Sequence, residues 1–247
     1  MSANTADFAV VFEVVTKDYV TDWRGGRWRA LERLSFSVPR GTICALVGPN
    51  GSGKSTALKI CAGLSEVTSG ICTVAGHEPT VAAAAGKLGY QAEDTVWPDF
   101  VTGRALLEQV GQIAGLSATA AGRSATELLE RVGLSEAATR RVGAYSKGMR
   151  QRLGLALALL ADPEVLLLDE PAAGLDPRAA VTLANIIDGE RKRGRTVLLT
   201  SHFLPQVEDL CDCFVVLERG RSLFVGSRAA VVARGGLQQL YLAEVTQ

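Results

Sequence analysis

The chain has 247 residues, of which 47% are hydrophobic and 21% charged, the composition of a soluble globular protein. This length predicts one domain with a subdomain, because it exceeds a minimal domain and falls short of two. Lys plus Arg and Asp plus Glu both number 26, so the net charge is zero and we expect no nucleic-acid partner, which usually requires a basic excess.

Cysteine and histidine usage gives little support for a metal site built from these residues. There are five cysteines and two histidines, and the cysteines lie singly in apolar sequence apart from Cys211-Asp212-Cys213. A zinc site is hard to assemble from this set. We interpret the cysteines as buried free thiols in a reducing cytosol.

No segment of the sequence is typical of secretion or membrane insertion. The N-terminus lacks a basic region ahead of an apolar core, so no signal peptide is predicted. The longest apolar run, Leu153 to Ala161, is far shorter than the ~20 residues that span a bilayer. We therefore expect that the chain does not cross a membrane by itself but could dock on a protein that does.

Predicted strands recur along the chain. FAVVFEVV (8–15) and ALERLSFSVP (30–39) alternate apolar and polar residues, which predicts an antiparallel layer. Four later runs are almost continuously apolar, which is typical of strands covered on both faces in a parallel α/β sheet. Their short length also permits buried helices. These runs are 43–47, 164–169, 196–200 and 213–218.

Residues 86–145 have a different character, with many Ala, Leu and Glu and no long β-branched run. ALLEQVGQIAGL (105–116) and SATELLERVGL (124–134) show helical spacing. We predict a mostly helical subdomain here, inserted into an α/β body formed by 1–85 and 146–247.

A glycine-rich stretch, GPNGSGKST at 48–56, joins an apolar run to a helical pattern. It matches the loop whose backbone N–H groups surround phosphate oxygens at a helix N-terminus. Lys54 brings charge to the β and γ phosphates, and Ser55 offers a hydroxyl to Mg²⁺. An ordinary glycine-rich turn is the alternative. The candidate binding residues are Gly48, Asn50, Gly51, Ser52, Gly53, Lys54, Ser55 and Thr56.

Two adjacent acids end the run EVLLLDEP (164–171). Asp169 is placed to hold Mg²⁺, and Glu170 to orient the attacking water and accept its proton. Two solvated acids at a strand end are the alternative. His202 follows another strand, at the sheet edge where ligands gather, so we expect it to contact the γ-phosphate rather than act only structurally.

Five motifs in this order resemble one family. Together GPNGSGKST, YSKGMRQR, VLLLDEP, GLDP and TSH resemble the ATP-binding subunit of ABC transporters, and the resemblance covers essentially the whole chain, from about Val11 to Val245. The resemblance implies a P-loop α/β fold with a mostly parallel sheet, an antiparallel β layer and an inserted helical subdomain. It also implies Mg²⁺-dependent ATP hydrolysis by two such domains paired around two ATP molecules.

The segment YSKGMRQR (145–152) resembles the signature sequence of that family, a variant of the commoner LSGGQ. Ser146 can cap a helix and Gly148 permits close backbone approach. The charge beside this anion site comes from Lys147, Arg150 and Arg152. The resemblance implies that this helix start faces the ATP of a second subunit. An N-capped core helix with a basic first turn is the alternative. The signature residues are Ser146, Lys147, Gly148 and Met149.

Other site residues follow from the resemblance alone. Asp176, in GLDP, matches the loop that crosses the dimer interface beside the catalytic acid. Tyr19 is the best candidate for the aromatic side chain that stacks on adenine. Trp23 and Trp28 are rivals, and a buried aromatic is the alternative role of Tyr19.

One segment departs from the family pattern. The family usually has a glutamine that senses Mg²⁺ soon after a Gly-Tyr pair, within the stretch that reads LGYQAEDTVWPDFVTGR (88–104) here. Matching without gaps places Glu93 at that position and Gln91 two residues early. We favour Glu93, whose carboxylate could still reach Mg²⁺.

We predict an ATPase subunit at the cytoplasmic face of a membrane, which pairs with a second ATPase subunit and powers a separate membrane-spanning transporter subunit. The signature segment and the ending GLQQLYLAEVTQ resemble exporters of the ABC-2 type, which favours export. The alternatives are a soluble ABC ATPase of the iron–sulfur assembly kind, a nucleic-acid or ribosome ABC ATPase, and a weakly hydrolysing subunit paired with a more active chain.

Overall fold

The computed structural model describes residues 7–20, 25–93 and 95–245. Its strands are β1 Phe8–Val20, β2 Arg27–Pro39, β3 Ile43–Val47, β4 Ser69–Val74, β5 Leu88–Gln91, β6 Val165–Leu168, β7 Thr196–Ser201, β8 Cys213–Glu218 and β9 Arg221–Ser227. Its α-helices are α1 Lys54–Cys61, α2 Pro79–Ala84, α3 Gly103–Ile113, α4 Ala118–Arg131, α5 Lys147–Ala158, α6 Pro177–Lys192, α7 Leu204–Glu208, α8 Arg228–Val232 and α9 Leu237–Val245.

A six-stranded sheet with the order β5-β6-β7-β3-β8-β9 forms the centre of the fold. Its strands pair in parallel except for β9, which is antiparallel to β8. The four apolar runs form β3, β6, β7 and β8, so the strand prediction is confirmed and the helix alternative is wrong. These runs had to be apolar throughout because both faces of the sheet are covered.

Alternate residues of β3 supply two separate cores. Ile43, Ala45 and Val47 enter a core shared with the helices α3 to α6 on one face of the sheet. Cys44 and Leu46 enter a second core, shared with α1 and the smaller sheet on the other face. The period-2 geometry of a strand therefore places α1, and the loop before it, between the two sheets.

The smaller sheet has the order β2-β1-β4 and is antiparallel, as predicted for the N-terminal part of the chain. Together the two sheets and the flanking helices confirm the predicted fold class, an α/β body with an antiparallel layer. Among the described helices, none combines the length and the apolar character that crossing a bilayer requires.

The segment 86–145 contains the helices α3 and α4 but is not helical at its start. It opens with β5, which pairs in parallel with β6 inside the central sheet. The predicted boundary at residue 86 therefore precedes a core strand, and the helical part begins at α3. Four residues, LGYQ, are too few to show a strand period, and it is the pairing with β6 that makes them extended.

Candidate functional site

The glycine-rich loop lies between β3 and α1, and it needs glycine where it approaches other backbone. Gly48 and Gly53 have φ angles of 152° and 105°. A Cβ atom on Gly48 would lie 2.1 Å from the carbonyl oxygen of Leu217, and one on Gly53 would lie 2.8 Å from that of Ala30. The loop is therefore held closely against β8 and β2, and no side chain fits at these two positions.

We expect Gly48→Ala to weaken ATP binding about 100-fold or more, because the loop must move away from Leu217 and its N–H groups lose their common direction. Gly51→Ala is the matched control. Gly51 also has a positive φ, 81°, but a Cβ atom there has no heavy atom within 4 Å, so only the ~1–2 kcal/mol of backbone strain applies. Titration with a fluorescent ATP analogue measures both. Equal affinities of the two variants would contradict the steric argument.

Lys54 lies at the mouth of this loop, with 5% of its surface exposed. Its ammonium donates to the carbonyl oxygens of Gly48 at 2.8 Å and Pro49 at 3.0 Å. Burial lowers the pKa of Lys54, and the carboxylates of Glu170, Asp169 and Glu93 oppose that shift. The positive charge of Lys54 is thus held against the first residues of the phosphate loop.

Ser52 provides a direct test of whether the loop fits a phosphate. Its side-chain oxygen is buried and has no hydrogen-bond partner among the described residues. A buried hydroxyl without a partner is unfavourable unless a ligand supplies one. Together with the N-terminus of α1 and the ammonium of Lys54, this donor fits a phosphate group.

Asp169 accepts two hydroxyl groups on the same oxygen, Oδ1. Ser55 donates to it at 3.1 Å and Thr200 at 2.7 Å. Thr200 Oγ1 also accepts the backbone N–H of Glu170 at 2.8 Å. Sequence reasoning missed Thr200, although its place at the end of an apolar strand, two residues before His202, could have indicated it. The carboxylate and hydroxyl oxygens of Asp169 and Ser55 are the hard donors that Mg²⁺ prefers.

The side chain of Glu170 is buried between Lys54 and His202. Its Oε1 lies 3.8 Å from the ammonium of Lys54. Its Oε2 lies 2.9 Å from His202 Nδ1 and accepts the backbone N–H of His202 at 3.3 Å. The residue has a φ of +46°, a conformation that costs free energy outside glycine and recurs at functional sites. A carboxylate fixed in this way can orient a water molecule and accept its proton.

The signature segment begins α5, as predicted, with Ser146 as the N-cap. Its side chain accepts the N–H of Met149 at 3.3 Å. A Cβ atom on Gly148 would lie 3.0 Å from Ala179 Cβ, so glycine lets α5 pack closely on the start of α6. Asp176 caps that helix and accepts the N–H of Ala179 at 2.9 Å. The two predicted interface motifs therefore lie side by side.

Two of the basic residues in this segment have structural partners. Arg150 donates to the carbonyl oxygen of Gly143 at 3.2 Å. Arg152 donates to those of Val132 and Gly133, both at 2.9 Å, and burial lowers its pKa. Arg152 thus satisfies carbonyl groups at the end of α4.

Gln91 and Glu93 occupy different surroundings. Gln91 ends β5, is 4% exposed, and donates from Nε2 to the backbone oxygen of Gln151 in α5 at 3.1 Å. Glu93 is exposed, and its carboxylate is near enough to Lys54 to influence the pKa of that ammonium. Gln91 therefore packs against the signature helix, whereas the charge of Glu93 acts on the phosphate loop.

Tyr19 and Trp28 are cross-strand partners on β1 and β2, and their rings stack with centroids 5.8 Å apart. Burial raises the pKa of the Tyr19 hydroxyl, but the neighbouring Ser65 and Thr56 side chains lower it by more, so this ring lies near the end of the phosphate loop. Trp28 is 49% exposed. The third candidate, Trp23, lies outside the described residues.

The loop, the paired carboxylates and the histidine meet at the carboxyl edge of the parallel strands. They bring together a phosphate cradle, a pair of oxygen donors and a candidate base. This fold and site define a P-loop nucleoside triphosphatase.

Comparison with known proteins gives the family. A family model described as ABC transporter matches residues 31–173. The chain is 35% identical to the doxorubicin resistance ATP-binding protein DrrA of Mycobacterium tuberculosis, over 93% of this chain and 69% of that protein. It is 40% identical to the Nod factor export ATP-binding protein I of Burkholderia lata, over 81% of this chain and 66% of that protein. A solved ATP binding subunit of an ABC transporter aligns with a TM-score of 0.82 and 28% identity, covering 96% of this chain and 99% of that one.

The chain therefore belongs to the ABC transporter family and is its ATP-binding, ATP-hydrolysing part. The resemblance stated from the five motifs is confirmed, and so is the predicted ATPase activity. The roles of the individual site residues rest on the geometry above and remain predictions.

Proposed function

We propose that the chain powers a separate membrane-spanning exporter from the cytoplasmic face of the membrane. The observation that carries the hydrolytic part is the buried Glu170 carboxylate, held between Lys54 and His202 next to the phosphate loop. The direction of transport is supported by the relatives, one named for doxorubicin resistance and one for Nod factor export.

In this proposal each residue has a chemical role in ATP hydrolysis. Lys54 and the N–H groups of the loop hold the β and γ phosphates, and Glu170 orients the attacking water and takes its proton. His202 holds the Glu170 carboxylate through two contacts, and in this proposal it also contacts the γ-phosphate. Ser55 and Asp169 would hold Mg²⁺, with Glu93 as a further carboxylate. When bound, that ion neutralises charge on the phosphates.

Two copies of the domain, or this chain and a related one, enclose two ATP molecules in the proposed cycle. The exposed helix start of one subunit faces the ATP on the loop of the other, with Asp176 at the crossing. Its Ser146 cap and the close contact of Gly148 with Ala179 keep that start rigid. Closure then follows from tighter binding of ATP to the closed pair than to the open one. The residues proposed to face the second ATP are Ser146, Lys147, Gly148 and Met149.

We propose Tyr19 as the platform for adenine, with Trp28 stacked beside it. Base–aromatic stacking is worth about 1–3 kcal/mol, so Tyr19→Ala should weaken ATP binding about 5- to 150-fold. Tyr19→Phe keeps the ring and should retain most of the affinity. ATP titration of both variants, with Trp28→Ala alongside, measures this. A larger loss in Trp28→Ala than in Tyr19→Ala would transfer the platform to Trp28.

A groove of 550 Å³ between the 91–97 segment and α5 supports docking of the membrane subunit. Residues of the 91–97 segment and of α5 line this groove, among them Gln91, Glu93 and Gln151, so a peptide segment bound there would contact both elements. Val96, in its lining, and Phe100, four residues further on, are 95% and 75% exposed, so neighbouring apolar side chains are available there to a partner.

The test is purification of the tagged chain from gently solubilised membranes, with co-eluting proteins identified by mass spectrometry. We expect a multi-span membrane protein in stoichiometric amount. Phe100→Asp should remove it and leave basal ATPase activity intact, whereas Ile113→Asp, which alters an 86% exposed residue on α3, should retain it. Recovery of a soluble scaffold protein, a nucleic acid or no partner would overturn the transport role and leave the ATPase activity standing.

A further inference from the structure

Cys44 and Cys213 are direct neighbours on adjacent parallel strands, β3 and β8, in the same register. Residues in register point to the same face of a sheet, and both thiols pack into the core between the two sheets. Adjacent strands lie about 4.8 Å apart, within the Cα separation of about 4.4–6.8 Å that disulfides span. The pair can therefore be linked with little movement of the backbone.

The two thiols differ in exposure and in acidity. Cys44 is 1% exposed, whereas Cys213 is partly exposed, with Sγ 4.0 Å from Thr42 Oγ1 and 3.9 Å from the carbonyl oxygen of Ile43. Contact with the Cys44 thiol lowers the pKa of Cys213, against the effect of burial. The contact with Cys213, together with burial, raises the pKa of Cys44. Cys213 is thus the reactive sulfur and Cys44 the protonated partner.

We propose that Cys213 and Cys44 form a reversible thiol modification site that responds to hydrogen peroxide. The Cys213 thiolate attacks one peroxide oxygen, the O–O bond breaks, and Cys213 sulfenic acid and hydroxide form. The Cys44 sulfur then attacks the Cys213 sulfur, displacing the oxygen as water after its proton is transferred. In total, two thiols and one peroxide give one disulfide and two waters, and an external thiol reverses the bond.

The position of the pair connects its oxidation to the nucleotide site. Cys44 lies on the strand that leads into the phosphate loop, and Cys213 lies on the strand whose Leu217 carbonyl packs against Gly48. A disulfide draws the two Cβ atoms to about 3.8 Å and so tightens the strands that support the loop. We expect the oxidised chain to bind ATP at least threefold more weakly than the reduced chain.

Cys61 and Cys72 offer an internal control. They are also neighbouring thiols, but both are buried, at 0% and 6% exposure, so peroxide should reach them more slowly. Exposure of the reactive sulfur, rather than proximity alone, therefore distinguishes the two pairs.

The experiment treats the full chain with hydrogen peroxide and maps its peptides without reduction. We expect a peptide in which Cys44 and Cys213 are linked, with a mass two hydrogens below the sum of the two free peptides. Reduction should remove this peptide and restore the ATP affinity. In Cys44→Ser, Cys213 should stop at a sulfenic acid that dimedone traps, and Cys61→Ser should behave as wild type. A Cys61–Cys72 bond in place of the predicted one, or Cys213 unmodified, would overturn the proposal. An oxidised form with unchanged ATP affinity would overturn the link to the nucleotide site.

Discussion

Glu170→Gln is expected to lower the rate of ATP hydrolysis by about 10²- to 10⁴-fold, the usual contribution of a positioned general base. The amide keeps the size of the side chain and can still accept the His202 N–H that lies 3.3 Å from Oε2. It cannot accept a proton from water. ATP binding depends on the loop and on Lys54, so the dissociation constant should stay within about threefold, a free-energy change below ~1 kcal/mol.

Steady-state ATPase assays and ATP titration measure the two quantities separately. Glu164→Gln is the control, because this carboxylate lies at the opposite end of β6, has a side chain that is 46% exposed and pairs at the surface with Arg40 and Lys87. Its variant should hydrolyse ATP at the wild-type rate. If Glu170→Gln retains hydrolysis, another residue is the base, and the contact with His202 is structural.

Glu190→Ala is expected to lower the free energy of unfolding by about 3–5 kcal/mol, the cost of removing one partner from a buried ion pair. Glu190 lies on α6 and is 1% exposed. Its carboxylate contacts Arg131 of α4 at 2.5 Å and Arg195, just before β7, at 2.8 Å. The alanine variant deprives Arg131 of this carboxylate and leaves Arg195 with Asp162 and the Pro163 carbonyl, so it breaks an ionic link between the helical part and the central sheet.

Urea unfolding followed by circular dichroism tests this, since the midpoint reports stability when the slope is unchanged. Arg193→Ala is the matched control. Arg193 reaches the same carboxylate at 3.4 Å, but its side chain is 53% exposed, so its loss should cost less than about 1 kcal/mol. Equal shifts for Glu190→Ala and Arg193→Ala would show that burial does not govern this cluster.

Much of the architecture was predictable because its signals are local. Strands covered on both faces must be apolar throughout, and the runs that became β3, β6, β7 and β8 show this directly. The phosphate loop could be located because it combines glycines, Lys54 and Ser55 between a strand and a helix. Each of these features is contained within a few residues of the chain.

Features that depend on packing could not be predicted in the same way. The strand β5 could not be predicted from the four residues LGYQ, because they are too few to show a strand period. It is extended because it pairs with β6. The sequence of the signature segment does not show that Arg152 bonds the carbonyl groups that end α4. Thr200 belongs to the TSH motif, but its sequence context assigned it no role, and it matters because β7 brings it to Asp169.

The sequence by itself determined the four buried strands, the phosphate loop and the adjacent carboxylates, because each is specified by neighbours along the chain. The tertiary structure alone decided which side chains meet. It placed Glu170 between Lys54 and His202, packed Gly48 against Leu217, and set Cys44 beside Cys213. Those contacts join residues about 30 to 170 positions apart, and only the pairing of strands and the packing of helices sets distances of that kind.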